Sequence, residues 1–215
     1  MSQPTTDTVT TAPGRVPIRA LLMDADGVLQ QPVPGWTDEM SELGGGPDFV
    51  EELFQRELAA LDGSIDLAEV VVELLESRGL PLRWEQVIQT WQAVDLYRPM
   101  LQLVTDVRRA GVITALATNQ HSYRGEWMRR TLPYRDYFDH SFYSYELGTA
   151  KPDPAYFEHV IEVLGVAPEA AVFVDDRLDN VEAARELGLH GIHCSPVGDA
   201  DLVRTELRRL GVPGA

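Results

Sequence analysis

The chain has 215 residues, 44% of them hydrophobic and 24% charged, which is enough to bury the core of one domain and excludes global disorder. Its 34 acidic residues against 18 Lys plus Arg leave a net charge of −16, which argues against nucleic acid or an anionic membrane as partner. No run reaches the roughly 18 apolar residues of a membrane span. The one cysteine, Cys194, can form neither an internal disulfide nor a Cys-rich zinc site.

Residues 1–17 are polar and rich in Thr and Pro, without the apolar stretch of a secretory signal. They predict a disordered tail on a cytoplasmic protein. The first strand is expected at 18–23, running straight into Asp24. Residues 36–96 contain no convincing strand and predict helices near 47–60, 67–78 and 83–96, separated by Gly44-Gly45-Gly46-Pro47, Asp62-Gly63-Ser64 and Gly79-Leu80-Pro81. A helix at 99–110 leads to a strand at 111–117 that ends in Thr118-Asn119. A helix at 121–131, a strand at 141–145 and a helix at 154–164 follow. A strand at 171–174 then ends in Asp175-Asp176, before a helix at 179–187, a weaker strand at 189–194 and a helix at 199–210. Gly111, Gly165, Gly188 and Gly211 stand where helices should stop.

Strands alternating with helices predict an α/β fold with a doubly wound, mainly parallel sheet. Residues 18–35 and 97–215 form its core, and 36–96 are a helical insertion after the first strand. Ligands of such sheets bind at the carboxyl ends of the strands. Those ends carry Asp24-Ala-Asp26, Thr118-Asn119 and Asp175-Asp176, and Lys151 follows the 141–145 segment.

Asp24 and Asp26 face one side while the chain stays extended, and Gly27 then permits a sharp turn. With Asp175 and Asp176 added, four carboxylates share a small volume, which requires a cation. An all-oxygen set suits a hard ion such as Mg2+, and the absence of a Cys/His cluster excludes soft-metal chemistry. An Asp carboxylate can attack phosphorus, a second acid can move the proton, and a lysine with a hydroxyl/amide pair can hold phosphoryl oxygens. Lys151 is the only lysine; the other 17 basic residues are arginine, whose planar fork cannot replace a compact ammonium.

Leu21-Leu-Met-Asp24-Ala-Asp26-Gly27-Val-Leu29 resembles the first motif of the haloacid dehalogenase (HAD) superfamily. Ala117-Thr118-Asn119 resembles the second motif, Lys151-Pro-Asp-Pro154 the third, and Val172-Phe-Val-Asp175-Asp176-Arg-Leu-Asp179-Asn180 the acidic fourth. Order and spacing fit across roughly residues 18–195. The resemblance implies a Rossmann-like core with 36–96 as a helical cap. It implies Asp24 as nucleophile and metal ligand, Asp26 as acid/base whose carbonyl binds Mg2+, and Thr118, Asn119 and Lys151 at the substrate phosphate. Asp176 is the implied direct metal ligand, with Asp175 ligating or orienting a metal-bound water.

The same resemblance implies a Mg2+-dependent phosphatase that hydrolyses a small phosphorylated metabolite through an aspartyl-phosphate, as a monomer or homodimer. The cap and wider sequence look closest to phosphatases of sugar phosphates. Rival readings are a phosphomutase, a haloacid dehalogenase, which the acid at 26 disfavours, and a non-catalytic protein on the same scaffold. Several residues have plainer readings. Asp179 reads as a helix cap, Cys194 as a core residue, and His121, Arg124 and Trp127 as an exposed helix face. His140, His159, His190 and His193 carry no mark of a ligand.

Overall fold

A computed structural model describes residues 16–81 and 83–215; the expected tail falls almost wholly outside them. In chain order the strands are β1 (Ala20–Met23), β2 (Gln30–Pro32), β3 (Val94–Leu96), β4 (Ile113–Thr118), β5 (His140–Tyr143), β6 (Ala171–Asp175) and β7 (His190–His193). The helices are α1 (Trp36–Gly44), α2 (Pro47–Glu57), α3 (Leu67–Ser77), α4 (Trp84–Ile88), α5 (Arg98–Arg109), α6 (Ser122–Thr131), α7 (Tyr134–Tyr137), α8 (Ser144–Leu147), α9 (Pro154–Leu164), α10 (Leu178–Glu186) and α11 (Ala200–Leu210).

Five strands form one parallel sheet in the order β5-β4-β1-β6-β7. β1 lies at its centre and β6 beside it, and every residue of both is buried. Strands covered on both faces read as unbroken apolar runs, which is why these two are conspicuous in the sequence. Successive side chains point to opposite faces. Leu21, Met23, Val172 and Val174 pack with α5 and α11, whereas Ala20, Leu22 and Phe173 pack with α9. The sheet is therefore doubly wound, as expected. Caps match local chemistry: Asp66, Asp153 and Asp199 each accept a main-chain N–H at a helix start, and Gly165 and Gly211 close helices in the left-handed region.

Between β2 and β3, helices α1–α4 and the 3-10 turn that follows them build a third apolar cluster from Met40, Phe49, Leu53, Val71, Leu74, Val87 and Trp91. Two features here differ from the sequence expectation. Residues 36–44 are helical, a segment too short and too glycine-bounded to stand out by periodicity. The predicted helix at 83–96 stops early: α4 gives way to a 3-10 turn and then to β3, which pairs antiparallel with β2. A three-residue strand has no period of its own. It exists because Gln30 and Leu96 meet across the base of the insertion. Among the described residues no helix is long and apolar enough to cross a membrane.

Candidate active site

Register places the chemistry. Met23 of β1 pairs with Leu116 of β4 on one side and Val174 of β6 on the other. The next residue along each strand is therefore Asp24, Ala117 or Asp175, at one sheet edge. One carboxylate oxygen from each of Asp24, Asp175 and Asp176 lies within 4.8 Å of the other two. Lys151 enters from the loop before α9 with its side chain fully enclosed. Its ammonium donates to Asp175 Oδ2 at 2.7 Å and to Ala117 O at 2.9 Å, and lies 2.8 Å from Asp24 Oδ1. Burial opposes that charge, but the two carboxylates outweigh it and raise the Lys151 pKa.

The three carboxylates have unequal freedom. Asp175 is the most engaged: Oδ1 accepts from Arg177 N at 2.8 Å, and Oδ2 accepts from Lys151 and from Asn180 Nδ2 at 3.0 Å. Asp176 faces an open cavity of about 360 Å3 together with Asp24, Lys151 and Asn180. Its main-chain carbonyl is tied to His193 Nε2 at 2.9 Å. Gly27 has φ +74°, and a Cβ there would overlap the Asp176 carboxylate, so glycine serves both the turn and the close approach.

Burial, with the neighbouring charges of Asp175 and Asp26, raises the Asp24 pKa against the pull of Lys151. Burial and Asp175 likewise push Asp176 up to about 6. Once ionised, three carboxylates against one ammonium carry two net negative charges, which one divalent cation would balance. The donor set is wholly oxygen, and the buried Asn180 Oδ1 has no hydrogen-bond partner. These residues fit a hard divalent ion such as Mg2+.

Asp26 stands apart. Arg124 donates to both its oxygens, at 2.6 and 2.7 Å, and Gln120 and Gln30 add bonds at 2.8 and 3.0 Å. Burial works against ionisation there, but the guanidinium and these bonds prevail and hold the carboxyl below its ordinary value. Arg124 is 7% exposed, and its Nε donates to Trp91 O at 2.9 Å.

The expected exposed face is thus wrong: Arg124 and His121 are buried, and Trp127 is half-buried against the main core. Arg124 and His121 turn inward because α6 packs under the 3-10 turn that carries Trp91. His121 is kept neutral, its pKa lowered to about 3 by burial and by Arg124. No local signal separates Arg124 from a surface arginine; its partner is 98 residues away.

The phosphate-site expectations divide. Thr118 ends β4 beside Asp24, but it is buried, accepts from Gln120 Nε2 at 3.0 Å and does not line the cavity. Asn119 lines the cavity, yet its amide is committed to Lys151: Nδ2 donates to Lys151 O at 2.7 Å, and Oδ1 accepts from Lys151 N at 2.9 Å. It positions the lysine. Asp179 pairs with Arg177 at the surface, at 2.6 Å. Cys194 is a buried core residue.

Residues 18–188 match the model of the family described as haloacid dehalogenase-like hydrolase, so the chain belongs to that family. The phosphoglycolate phosphatase of Pseudomonas putida is 30% identical over 94% of this chain and 81% of its own. Bifunctional epoxide hydrolase 2 of Sus scrofa is 26% identical over 90% of this chain, which spans only 39% of that protein's length. A solved structure of a HAD family enzyme from Bacteroides thetaiotaomicron, in complex with magnesium and inorganic phosphate, is 28% identical with a TM-score of 0.72. The match covers 82% of this chain and 93% of that one.

Proposed function

We propose that the chain is a cytoplasmic, Mg2+-dependent phosphatase that hydrolyses a small phosphomonoester through an aspartyl-phosphate on Asp24. The observation that carries this reading is the 2.8 Å approach of the enclosed Lys151 ammonium to Asp24 Oδ1, beside Asp175 and Asp176. Phosphatase relatives and the Mg2+ and phosphate in a similar structure support it. Asp24, Asp176 and the Asp26 carbonyl would hold the ion, with Asp175 fixing Lys151. Bound there, Mg2+ offsets charge on the carboxylates and on the phosphoryl oxygens.

Asp24 attacks phosphorus, and the bond from phosphorus to the ester oxygen breaks. The leaving alkoxide takes a proton from Asp26. Water then attacks the aspartyl-phosphate, Asp26 recovers a proton from it, and phosphate leaves a regenerated Asp24 carboxylate. Lys151, which lines the cavity, takes the phosphoryl oxygens. Held by Arg124, Asp26 is a carboxylate and suited to the second half-reaction; the first needs that fork to open. The helical segment 36–96 acts as the cap over the leaving group.

The test is release of inorganic phosphate from a panel of phosphomonoesters with Mg2+ and no phosphoryl acceptor. Asp24→Asn and Asp26→Asn should each abolish it while circular dichroism stays unchanged. Full activity in either variant would refute the assignment.

A further inference from the structure

The cavity at Asp24 continues past Asp26 into a second one of about 340 Å3 under α1 and α2, and the two share Asp26, Leu58, Leu61, Asn119 and Arg177. A phosphomonoester with its phosphorus at Asp24 therefore directs its alcohol into the second space. Building on the phosphatase reading, we propose that this alcohol is a hydrocarbon or aryl alcohol rather than a polyol.

The far wall is aromatic. Trp36, Phe54 and Trp91 pack against one another with ring centroids 5.6, 6.0 and 6.2 Å apart, and all three line the cavity. At the shared rim Leu58 keeps 66% of its surface exposed. These tilted and edge-to-face rings offer a large apolar area and few places for a hydroxyl to bond.

The polar groups on this wall are already engaged. Arg124 Nε serves Trp91 O, while Nη1 and Nη2 serve Asp26 and Gln120. The Gln120 amide serves Asp26 and Thr118, and that of Asn119 serves Lys151. Glu57 is the one inward carboxyl here without a hydrogen bond among the described residues; His121 Nε2 stands 3.9 Å away. A polyol would surrender water at several hydroxyls for this carboxyl and the indole N–H donors of Trp36 and Trp91. Lacking the matching groups, such a site discriminates by on the order of a hundredfold. A hydrocarbon has nothing to leave unbonded and removes the aromatic wall from water.

The test measures kcat/KM with Mg2+ for benzyl and geranyl phosphate against glycerol 3-phosphate and ribose 5-phosphate. All four are esters of primary alcohols, so their intrinsic reactivities are comparable. The hydrocarbon esters should lead by at least tenfold, and Phe54→Gln should narrow that lead at least fivefold. Equal rates, a lead for the polyols, or a Phe54→Gln variant that slows both classes alike would overturn the proposal. Acetyl phosphate separates the two levels of the argument. Its turnover without turnover of benzyl and geranyl phosphate sinks the substrate proposal alone. Inertness towards every compound sinks the phosphatase reading beneath it.

Discussion

Arg124 closes a two-point fork on Asp26, with N–O distances of 2.6 and 2.7 Å, across 98 residues of chain. The pair joins the helical insertion to the carboxyl edge of the sheet, because the same guanidinium also holds the Trp91 carbonyl. Removing one partner of a buried pair costs about 3–5 kcal/mol, but the Asp26 side chain keeps 35% exposure, which lowers the expected loss to about 2 kcal/mol. Arg124→Met should therefore lower the urea midpoint at pH 7 with an unchanged slope. The sign against pH follows from the lowered Asp26 pKa. The contribution is present above the carboxylate's unfolded value and is lost as pH falls through the folded one. The gap between variant and wild type should thus close in acid, and a gap that widens would contradict the pairing.

The carboxyl of Asp24 is shifted the other way. With its pKa raised to about 8 by burial, Asp24 keeps its proton in the fold at neutral pH, and its ionisation on unfolding destabilises the fold when no divalent ion is present. In EDTA, Asp24→Asn should melt at the wild-type temperature or above it. Adding Mg2+ should raise the wild-type Tm in proportion to saturation and leave that of Asp24→Asn nearly unmoved. Differential scanning calorimetry with and without the ion reads both effects.

Asp176 titrates at about 6, raised first by burial and then by Asp175. A carboxyl must lose its proton to hold a metal, so Mg2+ affinity should rise with pH through that value and weaken below it. Isothermal titration at pH 5, 6 and 7 should show affinity falling towards acid, and Asp176→Asn should make that fall shallower, leaving the part due to Asp24. A flat profile in the wild type would exclude Asp176 as a ligand.

At Gly27 two constraints coincide: φ +74° and a carboxylate where a Cβ would stand. A non-glycine residue in the left-handed region costs about 1–2 kcal/mol, and the displaced Asp176 should add a loss of metal affinity. Gly27→Ala should weaken Mg2+ binding at least tenfold while the protein still folds. Unchanged affinity would show that the approach to Asp176 is not needed.

Much of the molecule is legible in its sequence. β1 and most of β6 are apolar runs because each is covered on both faces, and the acids at their ends mark the edge where the carboxylates gather. Lys151 is conspicuous as the only lysine, and its ammonium does meet Asp24 and Asp175. The short pieces are not legible. α1 is bounded by glycines, and β3 acquires its conformation only by pairing with β2.

The chain order of apolar runs and acids determined by itself the five strands of the parallel sheet and that their carboxyl ends converge, since alternation and strand direction are local properties. Only tertiary structure decided how each polar group is employed. It turned Arg124 inward onto Asp26, committed the Asn119 amide to the Lys151 backbone and withdrew Thr118 from the cavity. The physical reason is that a hydrogen bond between residues far apart depends on which helix covers which strand, and no window of sequence contains both partners.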